Sequence, residues 1–90
     1  MKQLKNKVAL ITGAGSGMGQ THAKVFAERG AVVVINDLNG EGLKDTGRIV
    51  REAGGQAVEC VGDITEPDFV KAMIDDAISQ AGGVSILVNN

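Results

Sequence analysis

The sequence has few of the residues that mark secreted, metal-binding or membrane-spanning proteins. Its 90 residues include one cysteine and one histidine, and neither tryptophan nor tyrosine. A single cysteine excludes an internal disulfide framework, and no cluster of histidine, cysteine and carboxylate residues indicates a metal site. No apolar run approaches the length of a membrane span, and no signal-peptide core follows the N-terminal lysines. We therefore expect a cytoplasmic protein without a membrane partner.

An excess of positive charge is also lacking. Nine basic and eleven acidic residues give a formal net charge of −2. The basic residues are scattered along the chain and form no stripe, so the sequence offers no electrostatic field that would attract nucleic acid. Nucleic acid is therefore not an expected partner.

Glycine and aliphatic residues are abundant, and they alternate in a pattern that predicts strands and helices in turn. Apolar runs predict three buried strands, and a polar and apolar alternation predicts an edge strand at residues 56–61. The buried strands are expected at residues 7–12, 31–37 and 84–90. Helical spacing predicts helices at residues 17–29, 39–53 and 65–81. The second helix contains three glycines, each costing up to about 1 kcal/mol relative to alanine, so we expect its first turn to be loose.

Side-chain patterns add expectations for the other two helices. In the first helix, Met18, His22 and Phe26 share one stripe, with Ala23 and Ala27 beside it. In the third, Thr65 is expected to cap the N-terminus, with Pro67 in the first turn.

The order βαβαβαβ predicts an α/β fold with a parallel sheet and right-handed crossovers. If the fourth strand returns to the other side of the first, the strand order is 3-2-1-4 and a cleft opens beside strand one. The first two helices then cover one face and the third covers the other. This is a Rossmann-like half of a doubly wound fold. The apolar fourth strand calls for a further neighbour, so we interpret residues 1–90 as an incomplete nucleotide-binding domain.

The glycine-rich stretch at residues 12–19 lies between the first strand and the first helix, where it predicts a phosphate cradle. Without Cβ atoms, Gly13, Gly15 and Gly17 can adopt positive φ and let the backbone approach a ligand. Amide groups at the helix start and the helix dipole attract a diphosphate. Gly19 would let the helix lie close to the sheet. The alternative is an ordinary tight turn.

An acidic residue at the end of the second strand supports the interpretation of the glycine-rich stretch as a phosphate cradle. Asp37 ends the second strand 18 residues after Gly19, where its carboxylate would accept hydrogen bonds from ribose hydroxyls and repel a 2′-phosphate. Ser16 in the loop and Leu38 after the acid are uncharged, which leaves no cation there for that phosphate. The sequence thus favours NAD over NADP. The alternative is a solvated carboxylate at a strand end.

The stretch Thr12-Gly13-Ala14-Gly15-Ser16-Gly17-Met18-Gly19 resembles the TGxxxGxG motif of the short-chain dehydrogenase/reductase family. Asp37, Gly62-Asp63-Ile64 and Leu87-Val88-Asn89-Asn90 match that family in order and spacing. The resemblance implies that Asp63 binds the adenine amino group, that the Ile64 amide faces the adenine ring, and that the two asparagines lie beside the adenosine ribose. The expected cofactor-binding residues are Gly13, Gly15, Ser16, Gly17, Met18, Gly19, Asp37, Leu38, Asp63, Ile64, Asn89 and Asn90.

The same resemblance implies that catalysis lies elsewhere. In the family, a tyrosine is the acid/base, a lysine lowers its pKa, a serine polarises the carbonyl and an asparagine holds a water. All four follow the fourth strand, so no catalytic residue is assigned. We interpret His22 as a structural histidine and Cys60 as an inert small side chain.

Two hypotheses follow from these observations. The first is that the chain is the NAD-binding front of an oxidoreductase that transfers hydride between NAD and an alcohol or ketone, for example of 3-oxoacyl or hydroxysteroid type. The second is a free-standing nucleotide-binding or assembly module without catalysis, in which another copy covers the bare face of the sheet. In either case we expect a homo-oligomer.

Overall fold

A computed structural model describes residues 3–90 and shows strands and helices in strict alternation. Each element follows from its sequence: β-branched runs form the strands, and glycines close the first and third helices at Gly30 and Gly82, which adopt φ of 99° and 90°. In chain order the elements are β1 (Val8–Thr12), α1 (Gly17–Glu28), β2 (Val32–Asp37), α2 (Gly40–Glu52), β3 (Gln56–Val61), α3 (Pro67–Ala81) and β4 (Ile86–Asn89).

The four strands form one parallel sheet in the order β3-β2-β1-β4, which confirms the predicted topology. β1 lies in the centre, with Leu10 level with Val34 of β2 and with Leu87 of β4. β3 is an edge strand, as predicted. β4 forms the other edge, where Leu87 leaves 65% of its surface exposed despite its apolar character.

Two hydrophobic cores lie on opposite faces of the sheet. The larger one packs α1 and α2 against the strands, and its members are Ala9, Ile11, Ala14, Ala23, Ala27, Ala31, Val33, Ile35, Leu43 and Val50. The smaller one packs α3 on the other face, with Val8, Leu10, Val34, Cys60, Met73 and Ala77. The predicted division of the helices between the two faces is therefore confirmed. The α3 face is the more thinly covered, because one helix packs there and two pack on the other face. Ile78 on α3 is exposed.

The inward face of α1 consists of small residues. Gly19, Ala23 and Ala27 are buried, whereas Met18, on the neighbouring stripe, is 71% exposed. These small residues let the helix approach the sheet closely, which pushes larger side chains at neighbouring positions to the helix flank.

Two helix predictions need correction. The first turn of α2 is regular, because the Asn39 side chain accepts a hydrogen bond from the Gly42 amide and closes it. The N-cap of α3 is Glu66, with Pro67 at the first helical position. Thr65 does not cap the helix because its hydroxyl donates to Asp63.

Candidate functional site

The predicted site residues lie together at the edge of the sheet that is formed by the carboxyl ends of the strands. In a parallel sheet all strands end on the same side, and here β1, β2 and β4 end at Thr12, Asp37 and Asn89. The glycine loop continues from β1 and the Gly62-Asp63-Ile64 segment continues from β3. Sites in open α/β sheets form at such carboxyl ends, beside the strand at which the winding direction reverses, which here is β1.

The glycine loop makes a tight connection from β1 into α1. Gly13 and Gly17 adopt φ of 63° and 54°, as expected for a turn that bulky residues would strain. A Cβ on Gly19 would run into the carbonyl oxygen of Gly13 and lie 2.9 Å from the Cα of Ala14. The loop therefore folds directly onto the first turn of α1, with no room for a side chain between them.

The requirement for glycine at position 15 comes from Asp37. The φ of Gly15 is not positive. A Cβ at this position would lie 2.8 Å from the Cγ and the Oδ2 of Asp37, so the carboxylate fills the space that a side chain would take. Glycine is required at this position because the loop approaches Asp37 closely, and the turn imposes no unusual backbone conformation here.

The start of α1 presents backbone amides on the outer side of this loop. Ser16 is the N-cap residue in extended conformation, and within the described chain its side chain caps none of the helix amides. The first-turn amides of a helix have no carbonyl partner within it, and the helix dipole adds partial positive charge there. Apart from its chain neighbours and the nearby backbone of α1, no atom of residues 3–90 would lie within 4 Å of a Cβ at Gly17. The geometry thus fits a phosphate group held by free amides.

Asp37 is tied to the loop by a direct hydrogen bond. Its Oδ2 accepts from the Gly15 amide at 2.8 Å, and its Oδ1 accepts from the Asn39 amide at 2.9 Å. An ionised carboxylate has about four acceptor positions, so two remain for ligand hydroxyls. The neighbouring Leu38 is exposed and uncharged.

The two terminal asparagines brace the start of the loop. The Thr12 hydroxyl donates to Asn89 Oδ1 at 2.9 Å, and Asn90 Nδ2 donates to the Thr12 carbonyl at 2.8 Å. The Cα of Gly13 faces Asn90 so closely that an added Cβ would lie 3.3 Å from the asparagine Cβ. The end of β4 therefore contributes to the shape of the loop as well as to the rim of the site.

Asp63 lies at the other end of the same edge. Its Oδ1 accepts from the Thr65 amide at 2.8 Å and from the Thr65 hydroxyl at 2.7 Å. These two bonds, the backbone one first, hold the pKa of the Asp63 carboxyl below its ordinary value. The adjacent Ile64 is partly exposed.

Two buried polar side chains that hold the site together were not predicted from the sequence. Asn36 donates from Nδ2 to the carbonyls of Cys60 at 2.9 Å and Gly62 at 3.2 Å, which fixes the end of β3. Thr46 on α2 lies 2.6 Å from the Ala14 carbonyl oxygen. In the sequence, each could have been noticed as a polar residue within an otherwise apolar pattern, Asn36 at the end of β2 and Thr46 on the inward face of α2.

The residues interpreted as structural lie away from this edge or within the cores. Cys60 is buried, and burial followed by the nearby charge of Asp76 raises the pKa of its thiol. The Nδ1 of His22 is buried and has no hydrogen-bond partner within residues 3–90. In the same range, no group of three or more histidine, cysteine and carboxylate residues could hold a metal ion. The helices of that range are all too short or too polar to span a membrane.

Comparison with known proteins identifies what shares this arrangement. The family model described as short chain dehydrogenase matches residues 7–90. Among curated relatives, the 7alpha-hydroxysteroid dehydrogenase of Escherichia coli (strain K12) is 44% identical over 88 residues, which make up 98% of this chain and 34% of the relative. The chain spans about a third of the length of the curated relatives it matches.

Solved structures agree in both fold and sequence. A structure of 7 alpha-hydroxysteroid dehydrogenase complexed with NADH and 7-oxo glycochenodeoxycholic acid is 45% identical, with a TM-score of 0.92 over 97% of this chain and 34% of that one. A structure of NAD+-bound xylitol dehydrogenase is 34% identical, with a TM-score of 0.91 over 96% of this chain and 33% of that one.

Proposed function

The chain belongs to the short-chain dehydrogenase family, whose members are oxidoreductases that bind nicotinamide dinucleotides, and on that premise we propose that it binds NAD in preference to NADP. The diphosphate would lie on the glycine loop and on the free amides of the first turn of α1, and the adenosine ribose beside Asp37. Two relatives with solved structures carry NAD+ and NADH, respectively.

The observation that carries the proposal is the 2.8 Å hydrogen bond from the Gly15 amide to Asp37 Oδ2. It holds a negative charge beside the phosphate loop, where the ribose of a dinucleotide would lie. The carboxylate retains acceptor positions for two hydroxyls, whereas a 2′-phosphate would meet a like charge with no lysine or arginine among the loop residues or at Leu38.

The remaining residues of the edge complete the proposed site. Asp63 would accept a hydrogen bond from the adenine amino group through its second carboxylate oxygen, since Oδ1 already accepts two bonds from Thr65. The Ile64 amide would face the adenine ring. Asn89 and Asn90 would line the ribose side, while their side chains hold the loop at Thr12.

The protein would act as an oxidoreductase that transfers hydride between NAD and an alcohol or ketone, which its membership of the family supports. The bound dinucleotide supplies the hydride acceptor or donor, and residues 1–90 act as the nucleotide-binding segment that holds and orients it. The substrate would be a small alcohol or ketone. A hydroxysteroid is the first class to test, since a hydroxysteroid dehydrogenase is 44% identical over these residues.

Fluorescence titration with NADH and NADPH tests the proposal. The protein should bind NADH more tightly, and Asp37→Ala should lower the ratio of the two affinities by about 10- to 100-fold, since hydrogen bonds to a charged group and a charge repulsion are both lost. Asp75→Ala is the matched control, because it removes the same charge from an exposed position on α3. An unchanged ratio in Asp37→Ala would refute the assignment.

A further inference from the structure

Thr46 places a hydroxyl group inside the fold, directly behind the glycine loop. The residue is fully buried on α2, and its Oγ1 lies 2.6 Å from the carbonyl oxygen of Ala14 and 3.1 Å from that of Gly42. Gln20 Nε2 donates to the same hydroxyl at 2.9 Å. The Gly42 carbonyl is the local partner that a helical threonine commonly uses. Because a hydroxyl has one proton to donate, the shorter distance assigns it chiefly to Ala14.

The peptide unit between Ala14 and Gly15 is thereby held at both ends. Its carbonyl oxygen accepts from Thr46, and its amide donates to Asp37 Oδ2 at 2.8 Å. A peptide unit is planar, so fixing the carbonyl also fixes the direction of the amide. The Cα of Gly15 lies against the same carboxyl group. A hydroxyl on α2 thus acts on the Asp37 carboxylate through one rigid peptide.

We propose that Thr46 is a positioning residue for the choice between NAD and NADP, a role that rests on the function proposed above. By fixing the Ala14 carbonyl, Thr46 aims the Gly15 amide at Oδ2 and keeps the carboxylate in one orientation. A preorganised carboxylate accepts ribose hydroxyls at low entropic cost and stays where a 2′-phosphate would lie, so it discriminates best. A residue with a purely structural role would affect the binding of both dinucleotides alike.

Thr46→Val removes the hydroxyl at nearly constant volume, and Thr46→Ser keeps it. We expect the valine variant to lower the ratio of NADH to NADPH affinity by about fivefold, the equivalent of one hydrogen bond, and the serine variant to retain the wild-type ratio. A second readout needs no dinucleotide. The Gly15 amide proton, followed by NMR, should exchange with solvent faster in Thr46→Val than in the wild-type protein or in Thr46→Ser.

Equal affinity ratios and equal Gly15 exchange in the valine and serine variants would overturn the inference. Asp37→Ala separates this failure from that of the proposed function. If Asp37→Ala lowers the ratio and Thr46→Val does not, only the role of Thr46 is wrong; if Asp37→Ala leaves the ratio unchanged, the proposed function is wrong. Should Thr46→Val fail to fold, Thr46→Ala replaces it. Should neither fold, Thr46 is a stability residue and the inference is overturned.

Discussion

Replacement of Gly19 by alanine tests whether the glycine loop and α1 are in contact as tightly as the structure shows. The added Cβ would lie 2.8 Å from the carbonyl carbon of Gly13 and 2.9 Å from the Cα of Ala14. Carbon atoms normally approach to about 3.5–4.0 Å, so the helix and the loop must separate by roughly 1 Å. The obstructing atoms belong to the backbone, so rotation of a side chain cannot relieve the overlap.

We expect Gly19→Ala to lower the free energy of unfolding by about 3 kcal/mol, at the upper end of the range for overpacking. For a chain of this size, that corresponds to a fall in Tm of roughly 12–24 °C. Gly40→Ala is the matched control, since its Cβ would lie 3.7 Å from the methyl groups of Val61. That variant should be unchanged or more stable by up to about 1 kcal/mol, because alanine restricts the unfolded chain.

Thermal and urea unfolding, followed by circular dichroism, measure both variants under the same conditions. The alanine at position 19 should move the midpoint down strongly, while the alanine at position 40 leaves it in place or raises it. If Gly19→Ala unfolds at the same midpoint as Gly40→Ala, the loop does not rest on the helix and the description of the cradle is wrong.

Two further predictions concern titratable groups. The two bonds from Thr65 stabilise the Asp63 carboxylate. This contribution to the free energy of unfolding is present above the ordinary aspartate pKa of about 3.9 and is lost as pH falls through the lower pKa of the folded protein. Thr65→Val should raise the Asp63 pKa measured by NMR, and an unchanged pKa would show that the hydroxyl bond is absent. Because Cys60 is buried and its thiol pKa is raised, the native protein should react with a thiol reagent much more slowly than the urea-unfolded chain, and equal rates would contradict its burial.

Much of the fold was predictable because it depends on local sequence. The β-branched runs before Thr12 and Asp37 and the helical spacing between them set the alternation of elements, and right-handed crossovers left few possible strand orders. The loop and Asp37 could be paired from the sequence because parallel strands all end at the same edge. The positions of the site residues therefore followed from topology.

The details that depend on distances between elements were not predictable in this way. The helical spacing of α1 did not show which of its stripes faces the sheet, which depends on the close packing of Gly19 against the loop and leaves Met18 exposed. The role of Thr46 depends on where α2 lies relative to the Ala14 carbonyl, which no local pattern encodes. The contact that requires glycine at position 15 also depends on such a distance, since a Cβ there would meet the carboxylate of Asp37.

The most direct test of the central claim is to map where a dinucleotide binds. Titration of the ¹⁵N-labelled protein with NADH should produce the largest amide shifts at residues 13–19, with further shifts at Asp37 and Ile64. The amides of Gly30, Gly54 and Gly82, which precede β2, β3 and β4 at the opposite edge of the sheet, should change little. Shifts concentrated at that opposite edge, or a glycine loop that does not respond while NADH binds, would contradict the account.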